Sequence, residues 1–317
     1  MQAALPQVSI VLIIGPLRER AARCLASILS QVNIDQAVVL LFDTAPDAHP
    51  PLAGSEHHVV RTQPVRDIPA LSRLRVEAIE TARGAIVAFV EDHTVVVPGW
   101  LGAILQGIQA GHAAVGGEPG TLNPGVGISD IIMLINYGLY RPTPEPREFS
   151  RLPEHNSAYR RDLMLSFGEL LPTLITNEVL LGWKLLEKGH TRLLDPAAKF
   201  LHFNEETLDT VMRSYYYWNR CFGHNRAFVF GWPRWRRLLQ ALSTPAVPFI
   251  RYLKYWAYLW KRDRPSLPVL LRFTGVFLLT QAAAAAGLAA GALFGIGDAE
   301  LRFQYFEIAY DRDTIRR

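Results

Sequence analysis

Three short apolar runs, separated by helical patterns, are the feature that most restricts the fold. Residues 8–14 (VSIVLII), 37–42 and 85–90 are continuous apolar segments rich in branched side chains, which predicts buried strands. A helical pattern follows the first run, and a helix is predicted over residues 71–82 before the third. Buried strands that alternate with helices form a sheet covered on both faces, so the predicted class is α/β with a mostly parallel sheet.

Polar or turn-forming residues follow the end of each predicted strand. Gly15 follows the first strand, Asp43 the second, and Glu91, Asp92 and His93 the third. Open parallel sheets bind ligands at the carboxyl ends of their strands. These residues are therefore expected to converge on one site.

The middle of the chain is expected to shape this pocket. Residues 116–151 are rich in Gly and Pro and are interpreted as loops around a helix over residues 128–140. A further helix is predicted over residues 178–188, and short strands are predicted near residues 191–194 and 199–202.

The size and composition of the chain favour one catalytic domain with an appendage. The chain has 317 residues, of which 50% are hydrophobic. The predicted division is a catalytic domain (1–210), an aromatic and basic helical region (211–265), a hydrophobic transmembrane or re-entrant segment (266–297) and a tail (298–317). The net charge of +4 fits nucleic acid, anionic lipid or phosphate-bearing ligands and does not choose among them.

The two cysteines and the first residues bear on the compartment. Cys24 and Cys221 lie far apart without metal-type spacing, which argues against a disulfide framework and a zinc knuckle and fits a reducing compartment. The first seven residues lack a secretory-signal pattern. The start of the chain is expected to stay in the cytoplasm.

The composition changes after residue 211 in a way that suits a membrane interface. Residues 213–264 contain fifteen aromatic residues, eleven Arg or Lys and one acid, Asp263. Residues 273–297 carry no charge and are long enough to cross a bilayer as a helix. The expected location is the cytoplasmic face of the inner or plasma membrane, peripheral or single-pass.

Other interpretations of this C-terminal part remain open. The aromatic and basic stretch could form a cytoplasmic helical domain or bind single-stranded nucleic acid, although no nucleic-acid partner is predicted. The hydrophobic segment could be a buried hairpin or a re-entrant element, because Gly287, Gly291 and Gly295 are expected to break a helix easily.

A resemblance to a known family rests on several motifs in the same order. Glu91-Asp92-His93 follows an apolar strand and precedes Pro98-Gly99-Trp100-Leu101, and this array resembles the family 2 glycosyltransferases of GT-A fold. The resemblance covers roughly residues 8–206. It implies a nucleotide-diphospho-sugar transferase-like sheet and a hexosyltransferase-type enzyme. The implied enzyme moves a sugar from a nucleotide-sugar donor, UDP-linked, onto a cell-surface or lipid-linked glycan acceptor with inversion.

The resemblance also implies a donor site and a metal. Asp43 matches a residue that contacts the nucleoside, and Arg75 matches one near the diphosphate. Glu91 and Asp92 belong to the donor-binding acidic motif, although Glu91 and His93 replace its two outer aspartates. The implied metal ligands are Glu91, His93 and His202. Because a nitrogen ligand favours the softer ion, Mn²⁺ is expected over Mg²⁺.

The acceptor side and the general base are implied in the same way. The segment LPEHNSAYRRD, residues 152–162, resembles an acceptor-side motif and brings His155, Asn156 and Arg160 towards the donor sugar or the acceptor. The usual acidic pair before the next helix is Asn177-Glu178 here. Glu178 is therefore the expected general base for the acceptor hydroxyl.

Simpler interpretations apply to each residue. The acidic tripeptide could be a solvated loop, Asp43 a turn residue, Arg75 a surface charge, His202 a histidine satisfied by the backbone, and Glu178 a first-turn acid. Two rival functions also remain, a nucleotidyltransferase of related fold and a membrane-tethered, catalytically weakened nucleotide-sugar-binding protein. The first normally carries a Gly-rich loop after the first strand, and IIGPLRER matches that loop poorly.

Overall fold

The computed structural model describes residues 6–141 and 144–311. In chain order the elements are β1 (Val8–Ile14), α1 (Arg18–Leu29), β2 (Ala37–Asp43), β3 (Val60–Pro64), α2 (Leu71–Thr81), β4 (Ile86–Glu91), β5 (Thr94–Val96), α3 (Trp100–Gln109), β6 (Ala114–Thr121), α4 (Ile128–Tyr137), β7 (Arg147–Glu148), β8 (Ser157–Arg160), α5 (Arg161–Leu165), α6 (Leu171–Thr176), α7 (Glu178–Glu187), β9 (Arg192–His202), α8 (Leu208–Val229), α9 (Arg234–Ser243), α10 (Val247–Arg262), α11 (Leu267–Arg272), α12 (Thr274–Phe294) and α13 (Ala299–Ile308).

One mixed sheet organises the first part of the chain. Its strand order is β3-β2-β1-β4-β8-β6-β9-β5, with β7 paired on β9. The strands from β3 to β4 are parallel, while β8 pairs antiparallel with both β4 and β6, and β5 pairs antiparallel with β9. The predicted α/β class with a largely parallel central sheet is confirmed.

The central strand β1 explains why the sheet forms where it does. All seven of its residues are buried, and it pairs with β2 on one side and β4 on the other. An uninterrupted apolar strand is most stable when both of its faces are covered, because its side chains are then removed from water. The register sets Ile13 opposite Glu91 and Ile14 opposite Asp43, so the ends of three strands lie at one edge of the sheet.

The later strands differ in part from the sequence prediction. The two short strands predicted near residues 191–194 and 199–202 are one continuous strand, β9, which runs through Asp195 and Pro196. The helix expected over residues 128–140 ends as an α-helix at Tyr137 and continues as a short 3₁₀ turn to Tyr140.

The chain forms two compact units. The first contains the described residues of 1–120 and 143–202, and the second those of 121–142 and 203–317. The second unit is helical and has α8 and α12 at its centre, with α9, α10 and α13 packed on them. A buried apolar cluster, which includes Ile131, Val211, Leu259 and Phe277, joins α4, α8, α10 and α12.

Helix α12 is continuous from Thr274 to Phe294, which excludes the alternative that Gly287 and Gly291 break it. Gly287 and Gly291 lie inside the helix, where a Cβ would meet the backbone of α8 at 2.2 Å and 2.0 Å. The glycines therefore allow two helices to approach closely, and the hairpin interpretation is wrong. Among the described residues α12 is the one helix long and apolar enough to cross a membrane by length and composition, and half of its most apolar window is buried within the protein.

Candidate functional site

The carboxylate of Glu91 and the rings of His93 and His202 meet at the carboxyl edge of the parallel strands. Glu91 ends β4, the chain turns, and β5 then pairs with the end of β9 so that Thr94 lies opposite His202. Nε2 of His93 lies 3.1 Å from Nε2 of His202, and Oε2 of Glu91 lies 3.6 Å from each of these nitrogens. His202 is thereby brought to Glu91 and His93 across 109 residues of chain, and the three form one group that could hold a metal ion.

The donor set fits a divalent cation. Two ring nitrogens bound to one ion at about 2.1 Å lie roughly 3.0–3.4 Å apart, and the nitrogens of His93 and His202 are 3.1 Å apart. Both rings are buried, so the simpler interpretation of residues 91–93 as a solvated loop is wrong. A carboxylate with two imidazoles suits Mn²⁺, Zn²⁺ or Fe²⁺ better than Mg²⁺, which prefers oxygen ligands.

Asp92 orients His93 and is itself held by an arginine. Its Oδ1 lies 3.2 Å from Nδ1 of His93 and 2.8 Å from Nη2 of Arg20, which is near the start of α1. When Nδ1 donates its proton to Asp92, the lone pair of the neutral ring is on Nε2 and faces Glu91 and His202. Asp92 was expected to bind the donor, and its contacts support an orienting role.

His155 and Asn156 hold the other side of the Glu91 carboxylate. Nδ1 of His155 lies 3.1 Å from Oε1, and Nδ2 of Asn156 donates to Oε2 at 2.6 Å. Oδ1 of Asn156 also accepts from the backbone N–H of Glu91 at 3.2 Å. His155 has a φ of 65°, a strained conformation for a residue other than glycine. The predicted residues His155 and Asn156 thus lie beside the candidate metal ligands.

Glu178 lies at the start of α7 and accepts two hydrogen bonds. The backbone N–H of His155 donates to Oε1 at 2.8 Å, and the Tyr159 hydroxyl donates to Oε2 at 2.6 Å. The same stretch of chain therefore connects the carboxylates of Glu91 and Glu178. These two hydrogen bonds fix the orientation of the Glu178 carboxylate.

A second carboxylate, the half-buried Glu154, lies next to this arrangement. Its Oε1 accepts from the backbone N–H of Val179 at 3.0 Å and so caps the first turn of α7. Burial, assisted by the negative charge of Glu178, raises the pKa of Glu154 to about 7. Burial and the contact with Glu178 also raise the pKa of Tyr159 well above its usual range, so its hydroxyl remains a proton donor.

Asp43 and Arg75 belong to the parallel half of the same sheet unit. Asp43 ends β2, two strands from Glu91, which is roughly 10 Å at the usual strand spacing. Its Oδ1 accepts from Arg18 and from the N–H of Ala45, each at 3.0 Å. Arg75 lies on α2 and is 7% exposed, so the interpretation as a surface charge is wrong.

Arg160 does not join the site, which corrects the prediction made for it. In the antiparallel pairing of β8 with β4 it lies opposite Ile86, at the far end of the strand that ends in Glu91. Its guanidinium forms an exposed ion pair with Asp162 at 2.6 Å. The four-residue strand β8 carries Ser157 and Arg160 towards opposite ends of the sheet, which the order of residues along the chain does not reveal.

Four residues with a part in this arrangement were missed. Arg18 and Arg20 hold Asp43 and Asp92, while Glu154 and Tyr159 hold the start of α7 and Glu178. The signal for the arginines was present, because a cationic first helical turn directly after a central strand faces the ligand edge of the sheet. Nothing in the sequence distinguished Glu154 from an ordinary loop acid.

Comparison with known proteins gives no family model that matches the chain and no significant match to a curated protein.

Proposed function

We propose that this protein is a metal-dependent glycosyltransferase of GT-A type that takes its sugar from a UDP-linked donor. The observation that carries the proposal is the convergence of Glu91, His93 and His202 at the ligand edge of the sheet, with contacts that lead through His155 to Glu178. The family resemblance of the motifs in residues 8–206 supports the class of reaction. The pairing of a cation site with a buried carboxylate supports a step in which phosphate charge develops and a proton is taken up.

The proposed donor site extends from Asp43 to the candidate metal ligands. Asp43, at the end of β2, contacts the nucleoside, and the buried guanidinium of Arg75 contacts the diphosphate. Glu91, His93 and His202 would hold a divalent ion, Mn²⁺, that supplies positive charge to the diphosphate oxygens. Asp92 and Arg20 hold the His93 ring in place. Such support is needed because a side chain that binds a metal must be positioned within a fraction of an ångström.

Glu178 is the proposed general base. Its carboxylate takes the proton from the acceptor hydroxyl as that oxygen forms a bond to the anomeric carbon of the sugar. The bond between the anomeric carbon and the β-phosphate oxygen breaks, and UDP leaves with the electron pair. Attack on the face opposite the leaving group inverts the anomeric configuration. A cell-surface or lipid-linked glycan is the proposed acceptor.

Calorimetry tests the donor site directly. We expect the purified chain to bind UDP in the presence of Mn²⁺ and to lose that binding after metal removal by a chelator. His93→Ala should weaken Mn²⁺-dependent UDP binding, whereas His58→Ala, at an exposed histidine, should not. Wild-type protein that binds neither UDP nor another nucleoside diphosphate with Mn²⁺ would refute the proposal.

The products separate this proposal from its two rivals. A glycosyltransferase incubated with UDP-sugar and Mn²⁺ releases sugar or transfers it, and leaves UDP. A nucleotidyltransferase instead joins a nucleoside triphosphate to a sugar phosphate and releases pyrophosphate from the triphosphate. A binding protein holds UDP-sugar without turnover even with a complete panel of acceptors.

A further inference from the structure

The second unit exposes an apolar surface on two consecutive helices, which we name the α9–α10 face. Its side chains are largely open to solvent, with Trp235 63% and Leu253 64% exposed. The members of the face are Trp235, Leu238, Leu239, Leu242, Phe249, Ile250, Leu253, Trp256 and Trp260.

The spacing of these residues forms one stripe on each helix. On α9 they follow at intervals of three, one and three residues from Trp235 to Leu242, and on α10 a stripe runs from Phe249 to Trp260. Both helices pack on α12, and the stripes are on the sides left exposed. A helix of a water-soluble protein normally turns its apolar stripe inwards, so these two helices have the reverse arrangement.

The charged side chains of α9 and α10 are all basic. Residues 234–262 contain seven Arg or Lys and no Asp or Glu. Arg236 lies over the Trp232 ring at 4.6 Å, and Arg264 lies over the Trp260 ring at 4.9 Å. Exposed tryptophans among cations suit the boundary between lipid headgroups and acyl chains.

Helix α12 is long enough to cross a bilayer, but its neighbours oppose this. It runs beside α8 in the same direction, since Gly287 meets the backbone of Tyr216 and Gly291 that of Arg220. This register sets Arg213 level with residue 284, the centre of α12.

The side chains at that level are charged. Arg213 forms an ion pair with Asp209 at 2.9 Å, and both side chains are more than half exposed. Arg251 donates to Gln281, within α12, at 2.6 Å. A crossing α12 would place these charges in the hydrocarbon core, where ionised side chains are costly.

We propose that the α9–α10 face inserts into one leaflet of an anionic membrane, and that α12 stays a core helix of the protein and does not cross the membrane. Its apolar stripes enter the acyl boundary while the surrounding Arg and Lys side chains contact lipid phosphates. A second copy of the chain is a poorer occupant, because two faces with seven cations each repel one another. The proposal does not rest on the proposed function.

Vesicle binding tests the occupant. The full chain should co-sediment with vesicles of phosphatidylcholine and phosphatidylglycerol, and much less with phosphatidylcholine alone or at high salt. Leu253→Glu should lower the partition coefficient at least about tenfold, because a charge enters the acyl boundary. The control Val32→Glu changes an apolar residue of the other unit that is even more exposed, and this variant should bind like wild type.

Three results would overturn the proposal. The first is no binding to any vesicle, and the second is equal binding to neutral and anionic vesicles. The third is a wild-type oligomer that Leu253→Glu dissociates while no vesicle binding is seen, which would assign the face to a second copy of the chain. Circular dichroism and UDP calorimetry of each variant without vesicles show whether the fold and the nucleotide site are intact. A failure of membrane docking is thereby distinguishable from a failure of the proposed activity.

Cysteine labelling tests whether α12 crosses. Leu253→Cys should be protected from a membrane-impermeant maleimide when the chain is vesicle-bound, whereas Arg213→Cys should react as fast as Val32→Cys. The native Cys24 and Cys221 are buried and should give little background. If Arg213→Cys were protected as strongly as Leu253→Cys, the centre of α12 would lie within the bilayer. That result would overturn the proposed orientation.

Discussion

Oδ1 of Asp92 lies 3.2 Å from Nδ1 of His93, within reach to accept the proton of that ring nitrogen. The opposite nitrogen, Nε2, faces Nε2 of His202 at 3.1 Å. A carboxylate that accepts the proton of one ring nitrogen makes the other a better metal ligand. Asp92 is therefore central to the candidate metal site without being one of its ligands.

Asp92→Asn should weaken Mn²⁺ binding about 10–100-fold, as losses of such orienting partners do. The amide is a weaker acceptor and can also present its NH₂ group to the ring, which favours the wrong tautomer. Calorimetric titration with Mn²⁺ measures the effect. Asp47→Asn, at an exposed acid paired with Arg66, serves as the control. Equal Mn²⁺ affinities of wild type and Asp92→Asn would contradict the orienting role.

Glu178→Gln should lower kcat about 10²–10⁴-fold, the usual contribution of a general base, and leave the Kd for UDP unchanged. The amide keeps an oxygen for the N–H of His155 but takes no proton from the acceptor. Tyr159→Phe removes only one of the two orienting hydrogen bonds, so its kcat should fall far less. Steady-state kinetics with calorimetry of UDP make the comparison. Full turnover by the Gln variant with intact UDP binding would exclude this base.

Glu154 should make the stability of the folded chain fall as the pH rises. Its folded pKa is about 7, above the ordinary 4.5, so the folded chain retains a proton that the unfolded chain releases between these values. The stabilisation is fully present below pH 4.5 and is lost as the pH rises through 7, by roughly 3 kcal/mol in all.

Glu154→Gln keeps an acceptor for the N–H of Val179 and should flatten this pH dependence. Urea unfolding at pH 5 and pH 8 gives the change in the free energy of unfolding for each protein. Glu187→Gln, at an exposed acid of the same helix α7, should behave like wild type. Parallel curves for wild type and Glu154→Gln would show that Glu154 is ionised in the folded protein at both pH values.

The parallel strands and their ends could be predicted because their signals are local. A run such as VSIVLII is buried wherever it lies, and the residue after it must lie at the strand end. The meeting of Glu91 and His93 with His202 also needed β5, a three-residue strand too short to show a pattern. The family resemblance supplied His202, and periodicity alone did not.

The errors arose where tertiary packing outweighs local propensity. The order of motifs along the chain predicts Arg160 at the site, but the antiparallel direction of β8 places it at the other end of the sheet. The alternative in which Gly287 and Gly291 break the helix is wrong for the same reason, because their lack of a side chain is what lets α8 approach. The role of Glu154 depends on burial by residues far away in sequence, which one sequence does not reveal.

The approach of α8 to α12 gives the last prediction, a matched pair of Gly→Ala changes in one helix. At Gly287 the new Cβ would lie 2.2 Å from the carbonyl oxygen of Tyr216, so the helices must separate. Gly287→Ala should destabilise the protein by about 1–3 kcal/mol, the usual cost of overpacking.

Gly275, near the start of α12, has nothing within 4 Å of its Cβ position. Gly275→Ala should therefore stabilise the protein by up to about 1 kcal/mol through helix propensity alone. Thermal unfolding of both variants separates the two effects, because the chemical change and the helix are the same and only the neighbour differs. A rise in Tm for both variants would mean that α8 does not lie against Gly287, and the register that sets Arg213 level with the centre of α12 would be wrong.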